Sequence, residues 1–112
     1  MDTAADAITI IEDQLRDAGV QWVEAKQLRY LDEGQQRIYS RHPEAAQTDD
    51  SKVLTSAPSA ISATTDSIGI RRDFQMALVY YVCWQALLEN SDDEANIELA
   101  NIHKQNYAEA MQ

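Results

Sequence analysis

A chain of 112 residues and 12.6 kDa is sized for one domain with one modest core. Nine Lys and Arg against nineteen Asp and Glu leave a net charge of −10, which repels nucleic acid and anionic membrane surfaces unless the few cations cluster. The charge does not signal disorder, because 45% of the residues are hydrophobic and their spacing is periodic, and a single cysteine rules out an internal disulfide.

The N-terminus has neither a basic start nor an apolar h-region, so no secretory signal is expected. The longest apolar run, residues 76–84, is about half of what a membrane crossing needs. The expectation is a soluble, intracellular protein.

In chain order, the first helix is expected over about 3–18. Asp2 or Thr3 caps it, and Ile8, Ile11, Leu15 and Ala18 share one face opposite Asp6, Glu12, Asp13, Arg16 and Asp17. Gly19 then suits the position just past a helix end. A second helix is expected over 24–41, with Leu28, Leu31, Gln35 and Ile38 inward and Trp22 packing over its start. Gly34 in its middle costs about 1 kcal/mol relative to alanine, so it marks either a close helix crossing or a tolerated glycine. His42-Pro43 stops the helix, because the residue before proline is pushed out of the α region.

From 44 to 67 the composition turns to Ser, Thr, Asp and Ala without aromatics. Residues 52–55 and 60–64 read as short β-like pieces that pair as a hairpin around Ala57-Pro58-Ser59. The other reading is a loop that orders on a partner. The third helix, 71–89, follows an extended apolar lead at Ile68 and Ile70. Its inner stripe is Phe74, Leu78, Tyr81, Val82, Gln85 and Leu88, broadened by Val79 and Trp84. So wide an arc belongs to the central helix of a bundle or to one shared between subunits. Cys83, mid-helix, reads as a buried, inert thiol. After Asn90-Ser91-Asp92-Asp93 a fourth helix is expected over 94–112, capped by Ser91 or Asp92. Ala95, Leu99, Ile102 and Tyr107 form its weaker stripe. The fold class is therefore an all-α four-helix bundle, with a long excursion between the second and third helices.

Residues with catalytic chemistry are sparse. His42 and His103 are isolated and expected to be solvated or to cap helix ends, and one cysteine completes no spaced metal set. Three glycines make no phosphate-cradling loop, so no cofactor is expected. Asp49-Asp50 and Asp92-Asp93 lie in turns, where short carboxylates bond local backbone rather than move protons. The cations are more suggestive. Arg29, Arg37 and Arg41 lie on the second helix, with Arg37 and Arg41 sharing a face. They either pair with Asp32 and Glu33 on a solvated face or form a cationic patch for an acidic neighbour. Arg71-Arg72 admits the same two readings, and the second gains because a basic pair at a helix N-terminus opposes the dipole.

The stretch EAKQLRYLDEGQQRIYSRHPEA with the preceding Trp22 resembles the opening of phage head–tail adaptor (connector) proteins. Trp22, Leu28, Tyr30, Leu31, Gly34, Gln35, Ile38, Pro43 and Ala45 carry the likeness. Residues 68–112 resemble that family's final helix pair, through Ala77, Leu78, Tyr81, Val82 and Ala86. Two features depart from the pattern: Asp32 stands for the usual asparagine, and the middle segment is short. The resemblance implies a virion ring, typically of twelve subunits, seated beneath the portal and offering a platform to tail or stopper proteins. In such a ring Arg29, Arg37, Arg41, Arg71 and Arg72 are candidates for subunit contacts. Tyr107 and Met111, four apart on the last helix, are candidates for portal docking. The genome passes through without specific binding, along a channel for which Asp49, Asp50, Asp66, Glu94 and Glu98 are candidate lining residues. The competing reading is an acidic helical interaction protein, or an inhibitor that mimics nucleic acid. A small helical enzyme has no constellation of residues to support it.

Overall fold

The structure, a computed structural model, describes residues 3–15, 24–42, 60–70, 72–89 and 94–111. Four helices make it all-α: α1 Ala4–Leu15, α2 Glu24–Arg41, α3 Arg72–Glu89 and α4 Glu94–Ala110. The expected helix stop at Gly19, the packing of Trp22, and the turn at 90–93 lie outside the described residues.

Thr3 starts α1. Its Oγ1 accepts from Asp6 N at 3.4 Å while the Asp6 carboxylate accepts from Thr3 N at 3.3 Å. This reciprocal pairing satisfies amides that a helix start leaves without partners. Ile8 and Ile11 are buried, Leu15 partly so, and Ala4 and Ala7 extend the stripe through an N-terminal turn of small residues. On α2, Leu28, Leu31, Gln35 and Ile38 all face the core, joined by Gln27 and Tyr30.

Gly34 is where α2 crosses α3. A Cβ there would lie 2.6 Å from Tyr81 Cδ1 and 2.9 Å from Leu78 Cδ1, inside any real carbon contact. The close-crossing reading of this glycine holds. α2 runs antiparallel to α3, since Lys26 meets Glu89 at one end and the His42 ring meets Phe74 at the other.

α3 is the central helix. It touches α1, α2 and α4, and it is buried on nearly every side at Ala77, Leu78, Val79, Tyr81, Val82, Cys83, Ala86 and Leu87. Leu88, expected in the inner stripe, is instead 41% exposed near the helix end. Burial pushes the Cys83 thiol up to about 12, so it stays protonated and inert.

α4 differs most from expectation. Of the stripe Ala95, Leu99, Ile102 and Tyr107, the first three are exposed, and Leu99 and Ile102 are 46% and 53% accessible. The face turned toward α3 is Ala100, His103 and Met111, with Tyr107 half-buried beside them. The reason is steric. Adjacent helix positions differ by about 100°, and small Ala100 admits an approach to α3 that Leu99 or Ile102 would hold off. His103, expected to be solvated or to cap a helix end, is instead buried against the Tyr80 ring, 6.2 Å between centroids.

Residues 60–70 lead back into α3. The second arm of the expected hairpin, 60–64, is irregular chain running into a turn, and among the described residues the segment pairs through an isolated bridge between Ser67 and Thr3. The Asp66 carboxylate closes the turn, accepting from Ser62 N at 2.8 Å and Ala63 N at 2.9 Å, which competes with strand pairing. The other arm, 52–55, lies outside the described residues. The segment is fastened on both sides. Asp66 and Thr64 carbonyls accept from Ala4 N and Ala5 N at 2.8 and 3.0 Å. From α2, Asp32 Oδ1 accepts from Ile61 N at 3.1 Å and Gln35 Oε1 from Gly69 N at 2.7 Å. Ile61 and Ile70 are thereby sunk into the core. Among the described residues no helix is long and apolar enough to cross a membrane.

Candidate subunit interface

Because α4 packs mainly on α3, a seam runs along each side of it, one toward α2 and one toward α1. The α2 seam is floored by aromatic rings of α3. Tyr81 and Trp84 stand edge-to-face at 5.8 Å, and Tyr107 of α4 lies 5.7 and 6.0 Å from them. Arg37 sits over this floor, its guanidinium carbon 5.7 Å from the Tyr81 ring centre and 5.9 Å from that of Trp84. Lys104 Nζ approaches Trp84 from α4 at 5.7 Å. One helical turn beyond Arg37, Arg41 joins Tyr107, Ala108 and Met111 around a cleft of about 400 Å³.

Cations held over ring faces gain from the ring quadrupole while their outer side keeps donors free for an anion. No carboxylate among the described residues lies within 4 Å of Arg37, Arg41 or Lys104. Burial raises the Tyr107 phenol above its ordinary value, opposed by the positive fields of Arg37 and Arg41. At neutral pH the seam is therefore cationic, floored by neutral rings.

The end of this seam is fixed by His42. Its Nε2 donates to the Met111 carbonyl at 2.6 Å and its ring stacks obliquely on Phe74 at 5.3 Å. The ends of α2 and α4 are thus tied over the first turn of α3. The opposite end has its own tie. Glu89 accepts from Lys26 at 2.5 Å and from the Tyr30 hydroxyl. Those hydrogen bonds, Lys26 first, hold the Glu89 carboxyl below its usual range, while burial and Glu89 raise the Tyr30 phenol.

The α1 seam is of another kind. Gln14 and Leu15 of α1, Leu87 of α3, and Asn96, Leu99, Ile102, His103 and Asn106 of α4 line a groove of about 540 Å³. Desolvation keeps His103 below its ordinary value, and its Nδ1 has no hydrogen-bond partner among the described residues.

The residues singled out in the sequence divide between these surfaces. Arg37 and Arg41 share the cationic seam. Arg29 is elsewhere, exposed and 3.9 Å from Glu33, as its solvated-face reading supposed, while Asp32 serves the 60–70 segment instead. Arg72 opens α3, its side chain outside the described residues together with Arg71. Tyr107 is a wall of the seam, and Met111 is buried in the chain's own core, which accounts for its apolarity. Of the acidic candidates, Asp66 is bound up in its turn, where the Ser62 and Ala63 amides lower its carboxyl, and Glu98 is exposed. Glu94 opens α4 with its side chain outside the described residues, as are Asp49 and Asp50 entirely.

The sequence reading missed Lys104 and the roles of Tyr81 and Trp84 as floor. The signal was present in the basic residues at 37, 41 and 104 and the aromatic residues at 81, 84 and 107, but only the packing of α2 and α4 on α3 brings them together. Among the described residues no group of three His, Cys, Asp or Glu could hold a metal. No protein-family model, curated protein or solved structure matches the chain.

Proposed function

We propose that this protein is a structural virion subunit, one member of a head–tail adaptor ring that docks on a portal, forms part of the DNA channel and offers a platform for tail attachment. The observation that carries this reading is the crossing at Gly34. The two stretches that resemble adaptor proteins are the two that interlock there, with Gly34 of the first against Leu78 and Tyr81 of the second. The resembling residues thus work as one packing unit rather than as scattered matches.

Two further features support assembly. A 112-residue chain leaves Ile97, Leu99 and Ile102 of one helix between 40% and 53% exposed, apolar area that a neighbour in a ring would cover. It also holds cations over rings in a chain of net charge −10, so that copies carry both a local positive seam and a negative excess. In this reading the C-terminal end of α4 faces the portal, and carboxylates projecting into the lumen repel passing phosphates.

Electron microscopy of particles containing the protein tests this directly. The expected result is a closed ring, about a dozen copies on a cyclic symmetry, at the portal vertex. Density for the protein elsewhere in the particle, or its absence from purified particles, would remove the reading.

A further inference from the structure

We infer that the cationic seam between α2 and α4 is the socket of a head-to-tail contact, and that its occupant is the acidic flank of the α1–α4 groove on a second copy of this chain. The inference rests on the self-assembly in the reading above but not on the virion context.

The socket is built rather than incidental. Arg37 is held over Tyr81 and Trp84, and Lys104 reaches the same Trp84 from the other helix. Ring contacts restrict these long side chains before any partner arrives, so less rotamer freedom remains to be lost on binding. Arg41 extends the positive rim beside Tyr107 around the cleft of about 400 Å³. With no carboxylate of the described residues within 4 Å of these three groups, the charge that completes the site comes from outside the described fold.

The second copy is the favoured source because of where this chain puts its own acids. Asp13 and Glu98 are both exposed, and each immediately precedes a residue, Gln14 or Leu99, that lines the groove on the other side of α4. That groove also carries the most exposed apolar side chains of α4. The two surfaces therefore complement one another in charge, and burial of Leu99 and Ile102 against the aromatic seam adds apolar area. They lie on different sides of α4, so pairing one with the other joins copies heterologously, the geometry that closes rings.

The test uses two full-length variants. Arg41→Glu/Lys104→Glu reverses the socket while sparing Arg37 on its rings, and Asp13→Lys/Glu98→Lys reverses the flank at exposed positions. Circular dichroism and a melting curve establish that each folds, and native mass spectrometry reads assembly. The wild type is expected to form multimers that dissociate as salt is raised, and each variant alone is expected to be a monomer. An equimolar mixture of the two is expected to restore multimers in which the variants alternate, because the wild-type socket meets a wild-type flank at one contact and the reversed socket meets a reversed flank at the next. If Arg41→Glu/Lys104→Glu does not fold, the single Lys104→Glu replaces it, with the same outcomes.

A monomeric wild type at every concentration would overturn the inference, as would variants that assemble like the wild type or a mixture that stays monomeric. Short duplex DNA added to the monomeric wild type identifies the alternative: binding lost in the socket variant would make the seam a phosphate site and sink the self-contact. Failure of the virion reading is separable, since a chain that passes the mixing test yet is absent from particles would keep this contact and lose that function.

Discussion

At the scale of single residues, Gly34 sets the tightest constraint. Alanine would gain about 1 kcal/mol of helix propensity there, but its Cβ would fall 2.6 Å from Tyr81 Cδ1. Tyr81 cannot simply swing aside, because Trp84, Tyr107 and Arg37 pack around its ring. Overpacking of this kind costs about 1–3 kcal/mol, so Gly34→Ala should be net destabilising, seen as a lower urea midpoint at an unchanged slope. An unchanged or higher midpoint would mean the helices can part without cost. His103 makes a second prediction. Burial depresses its folded pKa below the unfolded value near 6.5, so in the window just below 6.5 the unfolded chain binds more protons than the folded one. Stability should therefore fall as pH drops from about 6.5 toward 5. The Glu89 and Asp66 carboxyls, both depressed, add their losses only at lower pH. Melting temperatures of the wild type and His103→Gln across pH 5–7.5 check this; a wild-type slope no steeper than the variant's would contradict it.

At the scale of elements, the 60–70 segment shows how a stretch with no regular structure is held. Its amides go to α2 side chains, Ile61 to Asp32 and Gly69 to Gln35, and its carbonyls take the first amides of α1. An asparagine at position 32 would still present a side-chain carbonyl to accept the Ile61 hydrogen bond. Asp32→Asn should then leave stability within about 0.5 kcal/mol, whereas Asp32→Ala leaves the Ile61 amide unpaired at a cost of about 1–2 kcal/mol. Hydrogen exchange at Ile61 should quicken in the alanine variant and stay protected in the asparagine one. Equal losses in both would show that charge, not acceptance, is what Asp32 contributes. The helices themselves were legible wherever periodicity was strong. Leu28, Leu31, Gln35 and Ile38 of α2 face inward as their spacing predicts, and Thr3 caps α1. α4 was misread because its most apolar stripe and its packing stripe are neighbours on the helix, and hydrophobicity alone favours the larger side chains.

At the scale of the whole molecule, the net charge of −10 and the local cationic seam oppose each other. Screening confines each to about 8 Å at physiological salt, so a duplex near the seam would feel Arg37, Arg41 and Lys104 more than the distant acids. Three cations give only a shallow salt dependence, and the surrounding negative charge works against docking of so long a polyanion. The isolated protein is therefore expected to bind duplex DNA no better than a neutral control protein at low salt, measured by fluorescence anisotropy. Tight, salt-sensitive binding would overturn the view that the genome passes this protein without adhering.

The number of helices, their order and their boundaries within a few residues were determined by the sequence alone. Each follows from local rules: periodic apolar spacing, a capping threonine and a proline that bars continuation of the second helix. The wide apolar arc of α3 left open a central place or one shared between subunits, and the packing of α1, α2 and α4 on it puts it at the centre. The contents of the candidate interface were decided by tertiary structure. Arg37 of α2, Trp84 of α3, and Lys104 and Tyr107 of α4 meet only because Gly34 and Ala100 let α2 and α4 settle close on α3. The same settling buries His103 and turns Leu99 and Ile102 outward. Rotation of a helix about its own axis costs little in local structure, so what selects among its faces is the fit of small and large side chains across the contact.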